Sequence, residues 1–447
     1  MKSYHLIGIG GIGMSALARL LHHKGCKVSG SDTGSSSQLQ QLQDLGIEVF
    51  FEHDKQNIGS KNHVVYSTSI LPNNPELVAA KEKKCTLLHR ADLLNQLMAP
   101  QKPLLVTGAH GKTSTTAMLY HLLSCLNLEP SCALGGILND QKTNASLGAG
   151  EYFIAEADES DGSFLKMQRY GAIVTNVEAE HMDYWKSFPR LCQGYLEFIS
   201  KVENKDLLFL CGEDPFLFNL GFEKHYYGFS SQHSLQIKDL TAKDQGSRFS
   251  LDFEGKTWGP FFLHLSGKHY VLNAAAALGM AIKLGATNEL LIEGLRSFQG
   301  VQRRLERLVE TPKVAIYDDY AHHPTEVAAT LSGLKERVLE NQKLIVVFQP
   351  HRYSRLADQF EGFTQCFPLA DLVIITDVYS AGEAPIEDMT GETLAKYLHH
   401  PHAQYVSFES LQEFLVKNIQ ENSVYVFMGA GSITSIAHAF AKDVTSV

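Results

Sequence analysis

Residues 104–116 read LLVTGAHGKTSTT: an apolar run, a turn bracketed by glycines, a lysine, then hydroxyl side chains. Behind the turn, Met118, Leu119, Leu122, Leu123 and Leu126 recur at helical spacing, so the stretch predicts a strand, a turn and an amphipathic helix. The turn is G-x-x-G-K-T, shorter than the common P-loop, because Val106 stands where that loop has its outer glycine. The physics survives the shortening. Backbone N–H groups of Gly108, Ala109, His110 and Gly111, with the helix N-terminus behind them, attract phosphate. Lys112 reaches the terminal phosphates, Thr113 offers its hydroxyl to Mg²⁺, and Ser114 follows on the first helical turn. The stretch predicts an ATP site and an α/β fold around it.

A second glycine-rich turn precedes it. Residues 6–13, LIGIGGIG, place Gly8, Gly10, Gly11 and Gly13 between a strand and a helix, and Asp32 ends the next strand. That is the fingerprint of a pyrophosphate-binding turn, with an acid about 20 residues on for a ribose hydroxyl. It names a nucleoside diphosphate or a dinucleotide without choosing between them.

Around these loops the 447-residue chain is 44% hydrophobic and 20% charged, enough for two or three globular domains. A net charge of −10 argues against a nucleic-acid partner, which needs a basic face. The 7 cysteines are scattered, with no C-x-x-C pair, and read as reduced thiols of a cytoplasmic protein. The opening MKSYHLIGIGG lacks the apolar region and small-residue cleavage site of a signal peptide, and with no run near 18 apolar residues no membrane span is expected. Prolines in MAPQKP, 98–103, mark a linker. After it come strands at YFIAEAD, GAIVTNV and KDLLFLCG, then short alternating segments over 225–265 that suggest antiparallel hairpins. From KVAIYDDY onward strands and helices alternate, which predicts a parallel sheet covered on both faces.

Two acidic stretches end strands near the P-loop. EADESD, 156–161, and NVEAEHMD, 176–183, each suit a solvated loop in isolation. At strand ends beside a phosphate loop, however, an acid is where Mg²⁺ takes a further protein ligand, and His181 adds a metal-ligand side chain.

Taken together, GIGGIGMS, GAHGKTSTT, EADESD, NVEAEHMD, HYVLNAAAA, VQRRLE, DDYAHHPTEV, QPHRYSR, DVYSAGEAPI and GAGSI resemble the Mur ligase family, in order and almost end to end. The resemblance implies three domains: a Rossmann-like UDP-sugar-binding domain over 1–98, a central P-loop ATPase over 99–302 and a Rossmann-like ligase domain over 303–447. It assigns the first glycine turn to the UDP pyrophosphate and the second to ATP. It implies a cytoplasmic ligase, monomeric or weakly dimeric, that phosphorylates the lactyl carboxylate of UDP-N-acetylmuramate and passes the acyl group to L-alanine. The murein-recycling ligase, which adds a tripeptide to the same nucleotide, is the nearest alternative.

Residue by residue, the family pattern puts Mg²⁺ on Thr113 and Glu156, with His181 as a further metal residue in a motif where Glu180 replaces the usual aspartate. It places His322, Arg352 and Arg355 at the incoming amino acid. The two arginines stand three apart, which on a helical turn would project them together. Arg304 is assigned to ATP phosphate. Asn273 is assigned to the adenine side, while Tyr270 replaces the family's first asparagine in the same stretch.

Overall fold

The strand Ser3–Ile7 is buried on both faces, as a central parallel strand must be. A computed structural model describes residues 2–34, 36–221, 225–243, 246–339 and 341–445. Ser3–Ile7 pairs in parallel with Lys27–Ser31 on one side and with His63–Tyr66 on the other. Glu48–Phe50 and Thr86–His89 complete a five-stranded sheet whose order reverses at Ser3–Ile7. In doubly wound sheets that reversal opens the crevice in which ligands bind, and the turn Gly8–Gly13 leaves the strand there. The burial of His5 is made possible by Ser29, 2.9 Å from its Nδ1, and Glu76, 3.2 Å from its Nε2. Glu76 also accepts from Ser31 at 2.5 Å and Asn57 at 2.7 Å. Burial pushes its carboxyl up, but the hydrogen bonds from His5, Ser31 and Asn57 outweigh that and hold it below the usual range.

In the second sheet the P-loop strand Lys102–Thr107 lies between Tyr152–Glu156 and Gly171–Val174, parallel to both. This order delivers both acidic stretches to the edge from which the P-loop leaves. The helix Lys112–Cys125 buries Met118, Leu119, Leu122 and Leu123, as the periodicity predicts. Between 225 and 265 the structure holds a hairpin, as expected, beside parallel pairings. His225–Gly228 pairs in parallel with Leu208–Cys211 and with Leu235–Lys243. A tight reversal comes later, at Glu254 and Gly255 between Gly246–Phe253 and Lys256–Leu263, both with positive φ as two-residue hairpin turns require.

The third sheet runs Glu306–Glu310, Val314–Asp319, Ser423–Met428, Lys343–Phe348, Leu372–Ile375, Ala403–Tyr405. All pairings are parallel except the first. The antiparallel edge strand Glu306–Glu310 is absent from the sequence reading. Only three residues link it to the next strand, and a parallel crossover needs far more. Ile316, Ile345, Val347, Phe427, Ile433 and Phe440 centre the core beneath this sheet.

The chain divides into two compact units, Met1–Asp239 with Phe249–Phe261 and Leu272–Gln299, and Leu240–Arg248 with Phe262–Val271 and Gly300–Val447. Among the described residues no helix is long and apolar enough to cross a membrane.

Candidate active site

In the first unit the P-loop is pinned from the neighbouring strand end. Asn176 Oδ1 accepts from the His110 N–H at 2.8 Å, and Thr175 Oγ1 donates to the His110 carbonyl at 2.6 Å. Gly108 has φ +136, and a Cβ on it would lie 2.1 Å from Thr175 Oγ1, so only glycine fits. Gly108→Ala should cost about 1–3 kcal/mol in backbone strain and a comparable amount in crowding. Thermal unfolding would record that loss, and an unchanged melting temperature would contradict it. Gly111, at φ +83, lies against Asn273, whose Oδ1 would be 2.6 Å from a Cβ there. The helix Lys268–Lys283 thus sets Asn273 against the phosphate turn.

Lys112 is met by a residue the sequence reading left without a role. Its Nζ lies 3.0 Å from each carboxylate oxygen of Glu159 and also donates to the carbonyls of Gly108 and Ala109. Burial would lower the ammonium's pKa, but Glu159 and Asp158 outweigh it and hold Lys112 above the ordinary lysine value. Thr113 Oγ1 donates to Glu156 Oε2 at 3.1 Å, and the Gly135 N–H donates to Glu156 Oε1 at 2.5 Å. The two expected Mg²⁺ ligands therefore face each other. Hard oxygen donors beside phosphate-binding N–H groups are the chemistry that suits Mg²⁺. Ser114 is buried on the same first turn. His181, at φ +57, brings Nε2 to 3.7 Å from both Glu159 and Glu180. These three side chains form a second set of potential metal ligands. Four carboxylates in six residues give no sign of which one turns beneath the lysine.

The first glycine turn is organised from within. Gly8 N–H donates to Ser31 O at 2.8 Å, and Gly11 N–H to Gly8 O at 3.1 Å. The spacing assigns Asp32 to a ribose hydroxyl. In the structure its carboxylate accepts from Gly10 N–H at 2.9 Å and Gly34 N–H at 3.0 Å, so Asp32 shapes the turn. A Cβ on Gly10 would sit 2.8 Å from Asp32 Oδ2, which explains the glycine. With three glycine N–H groups engaged in the protein, the donors left for an anion are on the first turn of the helix Ile12–His23. No side chain caps that helix.

In the second unit, the expectation that Arg352 and Arg355 share a helical face fails. The helix begins at Tyr353, and Arg352 precedes it at φ +68. Its N–H is held by the Tyr379 carbonyl at 2.8 Å, and its half-exposed side chain lies 4.0 Å from Glu383. Arg355 Nη1 donates to His351 Nδ1 at 2.9 Å. The His351 ring stacks on Tyr379 and meets His322 edge-on at 5.8 Å. Burial, with His322, Arg355 and Arg352 around it, pushes His351 down to about 3, so it is neutral at physiological pH. His351 therefore joins His322 to Arg355, although it stood in the quoted motif without a role. His322 Nδ1 lies 2.9 Å from the Tyr320 carbonyl. The Arg304 guanidinium covers the Tyr320 ring at 4.9 Å. Burial would lower its pKa, but Glu326 and Asp319 more than offset this.

Three family models match the chain in succession: Mur ligase family catalytic domain over residues 3–102, Mur ligase middle domain over 106–281, and Mur ligase glutamate ligase domain over 303–431. The UDP-N-acetylmuramate–L-alanine ligase of Aquifex aeolicus is 38% identical over 448 residues, 99% of this chain and 98% of that protein. The enzyme of the same name from Protochlamydia amoebophila is 40% identical over 438 residues, 97% and 96% of the two chains. Among solved structures, UDP-N-acetylmuramate–alanine ligase from Thermotoga maritima superimposes with a TM-score of 0.87 at 28% identity, covering 100% of both chains. By these matches, spanning all three sheets, the chain belongs to the Mur ligase family.

Proposed function

We propose that this protein is an ATP-dependent ligase joining L-alanine to the lactyl carboxylate of UDP-N-acetylmuramate, a step in peptidoglycan precursor synthesis. The observation that carries the reading is the P-loop lysine and the facing Thr113–Glu156 pair, in a chain whose full-length relatives bear that name. A lactyl carboxylate oxygen attacks the γ-phosphorus of ATP, the bond to the bridging oxygen breaks, and ADP leaves. The alanine nitrogen then attacks the acyl carbon. A proton is lost from nitrogen, and the tetrahedral centre collapses to amide and phosphate.

Several negative charges converge in the first step, so cations and positioning must lower its barrier. Lys112 supplies one charge, and its contact with Glu159 aims it across the turn. Thr113 and Glu156, with His181 as a further ligand, would hold Mg²⁺, which when bound would supply charge neutralisation for phosphoryl transfer. Asn273 serves the nucleotide beside Gly111, and Arg304 an ATP phosphate. Gly8, Gly10, Gly11, Gly13 and Asp32 build the turn for the UDP diphosphate. His322, Arg352 and Arg355 receive the amino acid, and domain boundaries at 98/99 and 302/303 separate the three tasks. The protein works in the cytoplasm as a monomer or weak dimer.

Arg352→Ala is expected to raise the alanine KM about 10–100-fold and to lower kcat, since a contact that orients the nucleophile acts on both. Arg352→Lys should rescue poorly, because an ammonium lacks the two-pronged fork a carboxylate accepts. Steady-state kinetics that leave both constants unchanged would remove Arg352 from the amino-acid site. The reading as a whole is tested by hydroxylamine trapping. With ATP and UDP-N-acetylmuramate but no alanine, an acyl hydroxamate should form. None would form if the carboxylate were never phosphorylated.

A further inference from the structure

Arg90 opens the helix Arg90–Met98 of the first sheet's domain, yet its strongest contact lies in the acidic loop of the P-loop domain. Its Nη2 binds Asp158 Oδ2 at 2.6 Å and lies 4.0 Å from Asp161 Oδ2. Asp161 also accepts from Thr68 Oγ1 at 2.9 Å, and His89 Nε2 lies 3.6 Å from it, so the two loops meet through a small polar cluster. The other prong of the guanidinium points elsewhere. A Cβ on Gly13 would lie 3.6 Å from Arg90 Nη1, and among the described residues Nη1 has no hydrogen-bond partner. Gly13 stands on the uncapped first turn of Ile12–His23, beside the N–H groups that the glycine turn leaves unused. With 26% of its side chain exposed, Arg90 can be reached by a ligand seated there.

We propose that Arg90 is a substrate-binding residue bridging the two phosphate loops, with Nη2 on Asp158 and Nη1 on the diphosphate of the nucleotide sugar. The inference rests on the reading that the first glycine turn holds that diphosphate. A guanidinium suits the task because its fork serves two anions at once, which an ammonium cannot do from the same position. Asp158 carries the fork's other end, and Arg90 and Lys112 overcome burial to hold its carboxyl well below the usual range. Asp158 therefore fixes the direction in which Nη1 points.

The test is calorimetric binding of UDP, UMP and UDP-N-acetylmuramate to the full-length protein and to Arg90→Ala, Arg90→Lys, Asp158→Asn and Gly13→Leu. Arg90→Ala should weaken UDP about 10–100-fold, the scale of a lost hydrogen bond to a charged group, and UMP much less. Arg90→Lys should recover only part of the loss. Asp158→Asn should weaken UDP by an intermediate factor, although Asp158 belongs to the other domain. Gly13→Leu, which blocks the helix turn itself, should weaken UDP whatever Arg90 does. Equal losses for UMP and UDP would overturn the proposal, as would a loss confined to UDP-N-acetylmuramate, which would place Arg90 on the lactyl carboxylate. Should Arg90→Ala not fold, the UDP-to-UMP ratio in Arg90→Lys and Asp158→Asn decides. If UDP binds as tightly to Gly13→Leu as to the unaltered protein, the glycine-turn reading falls. If Gly13→Leu weakens UDP and no change at Arg90 does, Arg90 alone is misassigned.

Discussion

Lys112→Ala is expected to lower the ligation rate about 10²–10³-fold, a loss of about 3–4 kcal/mol in the transition state, while UDP-sugar binding persists. The ammonium stands in the P-loop turn, where the proposed reaction seats the transferring phosphoryl group, and no other lysine or arginine lies on that turn. The structure adds a complication. Glu159 is buried against Lys112, so removing the lysine strands a carboxylate, and breaking such a pair costs about 3–5 kcal/mol when the remaining charge stays buried. Lys112→Met with Glu159→Gln removes both charges. That double variant should fold better than Lys112→Ala and remain as inactive. More than a tenth of the unaltered turnover in a folded variant would contradict the assignment.

Glu156→Ala should suppress acyl-phosphate formation by a similar factor, about 10²–10³, because it removes the carboxylate that faces Thr113 and that the proposed function assigns to Mg²⁺. Gly135→Ala offers an independent route to the same result. A Cβ on Gly135 would lie 2.6–2.7 Å from the two oxygens of Glu156, so the carboxylate must shift although its chemistry is intact. Both variants should fail to yield trapped hydroxamate, whereas Arg352→Ala, acting on the amine, should still yield it. Hydroxamate formed by Glu156→Ala at the unaltered rate would break this division of labour.

What was legible in the sequence is what depends on neighbouring residues. The strand, turn and helix at 104–125 follow from an apolar run, two glycines and one helical stripe, and the structure places all of them. The Rossmann-like order around Gly8–Gly13 was equally local in its signal. What was not legible depends on side chains that meet across long stretches of chain. Thr175 and Asn176 pin a P-loop that lies 65 and 66 residues before them, at His110. Arg90 meets an aspartate 68 residues away. Asp32 kept its place in the fingerprint, but its direction depended on Gly10 and Gly34, whose N–H groups draw it inward. Arg352 and Arg355 were read by helical spacing, and the helix starts one residue too late for that to apply. His351 looked like part of a motif. Its neutral ring between His322 and Arg355 became visible only once three segments of the third sheet's domain were folded together.

In the proposed reaction this chain activates one carboxylate and delivers it to one small amine. Phosphate release, with ATP and UDP-N-acetylmuramate held constant and L-alanine, glycine, L-serine or the murein tripeptide varied, tests it most directly. L-alanine should give the highest kcat/KM, no phosphate should be released without the nucleotide sugar, and UDP-N-acetylmuramoyl-alanine should form in matching yield. Turnover with the tripeptide and none with alanine would contradict it.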